Sequence, residues 1–183
     1  MTLILDESKK LAVVSDLFRG EFEDGFSTKL IGGAEEPLYL PKNGAGTFSL
    51  LKFKSNFLSS ALHEISHWCI AGERRRQLKD FGYWYNPDGR SEDEQEAFEL
   101  VEVKPQALEW MFSNACNHSF SISLDNLLMM DYLVDGRSFQ NSVTHQIVKW
   151  CSSDDMPPRG LQFLEALSLY FNTNPRSVDH YLF

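Results

Sequence analysis

The chain has 183 residues, a formal net charge of −9, 43% hydrophobic residues and 13% aromatic residues. That length and apolar share exclude a disordered chain and suffice for one domain with a sizeable core. The acidic balance, with a pI near 5.0, excludes a general nucleic-acid binder, whose attraction to phosphate needs the opposite sign.

Met1 to Leu5 run directly into Asp6 and two lysines, which is not a signal-peptide pattern, and no apolar run reaches bilayer length. Apolar residues at helical spacing predict a first helix over 11–22. Residues 26–31, 38–40 and 47–53 read as strands, punctuated by Gly32-Gly33, Pro41 and Asn43-Gly44. The next helix begins near Asn56; residues 59–71 contain no Pro, and Gly72 stands where its C-terminus is expected. The basic triplet Arg74-Arg75-Arg76 behind it is expected to be a solvated helix end. An aromatic run at 81–85 meets a turn at Asn86-Pro87-Asp88-Gly89. Ser91 with Glu94 forms a capping-box pattern that opens a helix to about Val103, and Pro105 is expected to start a separate helix over 106–115.

Residues 125–183 read as helical, with breaks at Asp135-Gly136 and Met156-Pro157-Pro158. This order predicts an α+β fold: a small mixed sheet packed against a central metal-binding helix, with additional C-terminal helices. We expect a single domain over 1–183. Its parts are strand-rich 22–54, metal-site helices 56–116 and a helical C-terminal part 125–183. Cys69, Cys116 and Cys151 form no C-x-x-C pair and suit reduced, buried thiols in a cytoplasmic protein. Met129 and Met130 are assigned to packing, and no apolar stripe is left over to demand an oligomer, so a monomer is expected.

The chemistry concentrates in the helix over 59–71, where His63, Glu64 and His67 form an H-E-x-x-H pattern. Positions four apart lie on one helix face, so both imidazoles can aim a ring nitrogen at one metal ion. Two of the chain's five histidines fall here; the competing reading is a half-buried helix whose histidines merely pack. A catalytic metal normally needs a third protein ligand. Candidates are His118, His145, His180 and the carboxylates Glu92, Asp93, Glu94, Glu96, Glu99 and Glu102. Glu99 and Glu102 sit among Phe98, Leu100, Val101 and Val103, and an acid among apolar neighbours needs a partner. Glu102 is favoured, with Glu99 as the alternate ligand or as its support. Two histidines and one carboxylate serve both non-haem Fe(II) oxygenases and zinc hydrolases. In the zinc alternative, a metalloprotease- or endoribonuclease-like hydrolase, Glu64 is the general base. Ligand identity leaves iron and zinc open.

The stretches FLSSALHEISHWCIAG (57–72), DFGYWYNPDGR (80–90) and FELVEVKPQALEW (98–110), with EPLYLP (36–41) and SLDNL (123–127), resemble the elongation factor P hydroxylase family. The resemblance spans roughly residues 22–139. It implies a bacterial cytoplasmic, non-haem Fe(II) monooxygenase-type enzyme that uses dioxygen as co-substrate. Its protein partner would be elongation factor P, hydroxylated on the lysine that carries a β-lysyl group. The family's ligand set maps onto His63, His67 and Glu102, and its fold is like that of YbeY-type endoribonucleases, without implying nuclease activity. No direct nucleic-acid or membrane partner is implied. With iron bound, Glu64 is expected to orient a water or ligand rather than act as a hydrolytic base. Asp80 or a backbone carbonyl is expected to receive the second N–H of a ligand histidine. Tyr83, Trp84 and Tyr85 are expected to wall a slot for the substrate lysine.

Overall fold

Asp6 starts the chain's first helix, its carboxylate accepting the backbone N–H of Lys9 at 2.9 Å. In this computed structural model, which describes residues 5–42, 46–83, 90–123 and 136–181, α1 (Glu7–Phe18) follows. It passes into a π-helical turn at Arg19–Glu23 and a single α turn, α2 (Asp24–Phe26). The helical segment therefore starts earlier than 11, and Phe26 ends it instead of opening a strand. The strands are β1 (Thr28–Ala34), β2 (Leu38–Leu40) and β3 (Ser49–Lys54), in the order β1-β3-β2. β1 runs parallel to β3 and β2 antiparallel, so the sheet is mixed. On β3, Ser49, Leu51 and Phe53 are buried in strict alternation, the period-2 signature of a strand with one face on the core. Glycine is required at 32, where a Cβ would stand 2.7 Å from the Phe53 ring, beside the register shift of β1.

Against β3 lies α3 (Leu58–Ile70), which buries Leu58, Ala61, Leu62, Ile65, Trp68 and Cys69. Trp68 packs with Phe18 and Phe22, and Phe163 joins the same aromatic group. Two short 3-10 turns, Arg75–Gln77 and Lys79–Gly82, follow. α4 (Glu92–Ala115) opens on the expected capping box between Ser91 and Glu94. It is one helix of 24 residues, not two, and Pro105 lies within it. Proline removes the donor that Val101 C=O would normally receive. Val101 is 40% exposed, and α4 continues through Pro105 without a break. α5 (Gly136–Ser152) and α6 (Pro158–Phe171) complete the helices, the latter begun by Pro at its first turn. The described architecture is thus α+β, a three-stranded mixed sheet with helices around α3.

The ends of α3 are held from distant parts of the chain. Glu7 on α1 accepts the Leu58 N–H at 3.4 Å. At the other end, Gly72 is not a left-handed cap. Instead Arg159, from the first turn of α6, donates to Trp68, Cys69 and Ala71 carbonyls at 2.9, 3.0 and 2.6 Å, and Arg76 donates to Ala71 at 2.7 Å. These cations satisfy orphan carbonyls at the negative end of the helix dipole. Arg75 donates to Phe81 O at 3.1 Å and its guanidinium lies 4.2 Å over Tyr83. The Arg74–Arg76 triplet is therefore not merely a solvated helix end.

Candidate metal centre and active site

His63 and His67 lie one turn apart on α3 and turn their Nε2 atoms toward each other, 3.1 Å apart. α4 crosses this face and brings Glu102, whose Oε1 is 3.2 Å from His67 Nε2 and whose Oε2 is 3.8 Å from His63 Nε2. One donor atom from each side chain falls within a cluster suited to a cation. Two nitrogens each about 2.1 Å from one ion at a right angle are about 3.0 Å apart, so the edges of this triangle fit facial coordination. A second observation agrees: Glu102 is only 2% exposed, yet its Oε2 has no hydrogen-bond partner. A buried carboxylate oxygen left unsatisfied is costly unless something occupies the space before it. Glu99 is elsewhere, accepting from Gln95 Nε2 at 3.1 Å. His118, His145 and His180 do not join the cluster among the described residues.

The electrostatics favour a cation. Burial opposes charge on His63, but Glu109, Glu102 and Glu64 outweigh it and lift the imidazole to about 10. Burial likewise opposes charge on Glu102, yet His67, His63 and a hydrogen bond from Gln106 bring its carboxyl down to about 2. The carboxylates that attract a proton to His63 attract a metal ion in its place. Burial raises the Glu64 carboxyl, with the imidazoles of His63 and His67 opposing that shift.

Glu109 is the residue that sequence reasoning missed. Its Oε2 lies 2.8 Å from His63 Nδ1, and the side chain is buried at the same α3–α4 contact. An ionised carboxylate can only accept, so Nδ1 carries the hydrogen and the neutral ring keeps its Nε2 lone pair for the centre. The signal was spacing: Glu102, Gln106 and Glu109 fall at i, i+4 and i+7, a polar stripe on an otherwise apolar helix face. Asp80, expected as the possible partner of a histidine, instead accepts the Tyr39 backbone N–H at 2.8 Å. Its carboxylate is engaged by β2, although Asp80 still lines the cleft beside both histidines.

A cleft of about 270 Å³ opens beside the triangle, lined by Pro37, His63, Glu64, His67, Asp80, Phe81 and Tyr83. Asp80, Phe81 and Gly82 have φ of 46°, 58° and 72°, a left-handed run that costs on the order of 1 kcal/mol or more at each non-glycine residue. It is held by Tyr39, whose ring stacks on Phe81 at 4.3 Å, and by Arg75. The result sets the Phe81 ring parallel to that of His67, 6.5 Å away, with Tyr83 at 6.4 Å. Of the expected aromatic slot, Tyr83 is at the cleft, whereas Trp84 and Tyr85 lie outside the described residues. Phe81, not singled out from sequence, supplies the other wall.

This arrangement can hold one divalent cation by three side chains and admit an elongated group beside it. The family model for elongation factor P hydroxylase matches residues 17–181. The chain is also 43% identical over 164 residues to the elongation factor P lysine hydroxylase of Haemophilus influenzae, covering 90% of both chains. On both grounds the chain belongs to the elongation factor P hydroxylase family.

Proposed function

We propose that this chain is an iron-dependent, oxygen-using hydroxylase of the β-lysylated lysine of elongation factor P. Fe(II) would be its cofactor, dioxygen its co-substrate, and a monomer in the bacterial cytoplasm its working form. One observation carries the reading: the His63, His67 and Glu102 donors sit at facial spacing beside a cleft with room for an alkyl chain. A single folded domain over 1–183, similar to the YbeY-type nucleases, belongs to the same proposal.

Fe(II) bound there would supply the activation of dioxygen that a C–H hydroxylation requires. The chain's own residues do the rest. His63 and His67 present Nε2 from one rigid helix, and Glu109 fixes the His63 tautomer. Glu102 adds a negative donor from α4, its carboxylate hydrogen-bonded by Gln106. Phe81 and Tyr83 limit water beside the reacting chain. Glu64 lines the same cleft outside the three-donor cluster, which supports a role toward substrate or water instead of the ion.

The second reading, a zinc-dependent hydrolase, is favoured by one observation: Glu64 lines the same cleft, where a general base would stand. Protein purified without oxygen distinguishes the two. Under the hydroxylase reading it carries stoichiometric Fe(II) and adds one oxygen atom to β-lysylated elongation factor P, as mass spectrometry reads. Bound zinc with oxygen-independent cleavage of a peptide or RNA would overturn it.

A further inference from the structure

The cleft carries a carboxylate that no group among the described residues hydrogen-bonds. Glu64 makes no hydrogen bond and no ion pair there, although the neighbouring acids all do: Glu102 with His67, Glu109 with His63, Asp80 with the Tyr39 N–H. It is half-buried and lines the cleft, so its carboxylate is open to whatever enters there. Pro37, Phe81 and Tyr83 form the apolar part of the walls, and His63, His67 and Asp80 the polar part. Phe81 is held there by a strained backbone run braced from two sides, and such strain persists where the surroundings enforce a particular placement. At about 270 Å³ the space falls just below the ~300–1,000 Å³ usual for small-molecule pockets and suits a single long side chain.

A cleft with aromatic walls and a carboxylate that has no hydrogen-bond partner among the described residues is complementary to an alkyl chain that ends in an ammonium group. The methylenes lie along the aromatic faces, and the cation meets both the ring quadrupole and the acid. A β-lysyl group joined through its carboxyl leaves its amines free, so it has this form. We propose that Glu64 is the substrate-ammonium anchor, gripping an amine of the β-lysyl group while Phe81 and Tyr83 clamp its chain. This rests on the hydroxylase reading above and names which part of the substrate the cleft reads. Glu64 then selects the β-lysylated protein over the unmodified one and sets which carbon faces His63, His67 and Glu102.

The test uses the Fe(II)-loaded protein without oxygen and two probes: β-lysylated elongation factor P, and the same protein with its β-lysyl amines acetylated. Wild type is expected to bind the charged form about ten-fold or more tightly, the scale of a charge-assisted hydrogen bond. Glu64→Gln should bind the two forms within about two-fold of each other and keep its iron. Glu64→Asp, which keeps the charge but draws it back, should discriminate to an intermediate degree and serves if the Gln variant does not fold. Undiminished discrimination by either variant overturns the anchor while leaving the hydroxylase reading intact. Loss of iron from Glu64→Gln also overturns it, because Glu64 would then be a ligand. If wild type binds neither form and adds no oxygen, the hydroxylase reading falls and the anchor with it.

Discussion

At the scale of single residues, the candidate site divides into groups that could touch a metal and a group that aims one of them. Glu102 and Glu99 differ by less than one helical turn, yet only Glu102 meets the two imidazoles. Glu102→Gln is therefore expected to weaken metal binding by at least about 100-fold, while Glu99→Gln leaves it within a few-fold. Titration with Fe(II) or Zn²⁺ under calorimetry reads both, and the reverse order would move the third donor to Glu99. Glu109→Ala should weaken binding by about 10–100-fold, the usual effect of losing a carboxylate that orients a histidine. Glu109→Gln, which can still accept from Nδ1, should recover much of that loss. The histidine pair was legible because its spacing states its geometry. Glu109 was harder to read: its i+7 spacing from Glu102 puts it on the same helix face, but its role depends on where α4 crosses α3.

At the scale of elements, the long helices were legible through periodicity and caps, while two local signals misled. Pro105 looked like a helix start, but α4 runs on through it, past the partly exposed Val101. Gly72 looked like a helix cap, but Arg159 from α6 does that work. At Gly72 a group far along the chain replaced the local signal. The start of α1 offers a pH test. Backbone and side-chain hydrogen bonds from Lys9 and Ser8 hold the Asp6 carboxyl at about 2, below its ordinary value of 3.8. A depressed carboxyl stabilises the fold fully above about pH 4, and that contribution fades as pH falls through 2. Asp6→Ala should lower the Tm at neutral pH, and the gap from wild type should narrow between pH 5 and pH 2. Asp6→Asn, which still caps, should show little of that pH dependence.

At the scale of the whole molecule, the core and the candidate site share one helix. Trp68 and its aromatic neighbours hold the back of α3, while His63 and His67 occupy the front. An ion bound at the front joins α3 to α4, so metal should raise global stability. By mass action the gain is about 2.7 kcal/mol at a metal concentration 100 times Kd. Chelation should therefore lower the Tm measurably in wild type and leave Glu102→Gln unmoved, as differential scanning calorimetry would show.

The clamp that Arg159 places on the last carbonyls of α3 also sets an order of assembly. His63, His67, Glu102 and Glu109 leave the ribosome well before Arg159 does. Until that guanidinium arrives, the helix bearing both imidazoles lacks the donor that Trp68 and Cys69 carbonyls share, and only Arg76 is at hand for Ala71. The pair of imidazoles is thus expected to reach its final geometry only after α6 has formed, and a fragment ending before Arg159 should hold a divalent cation less tightly than the full chain.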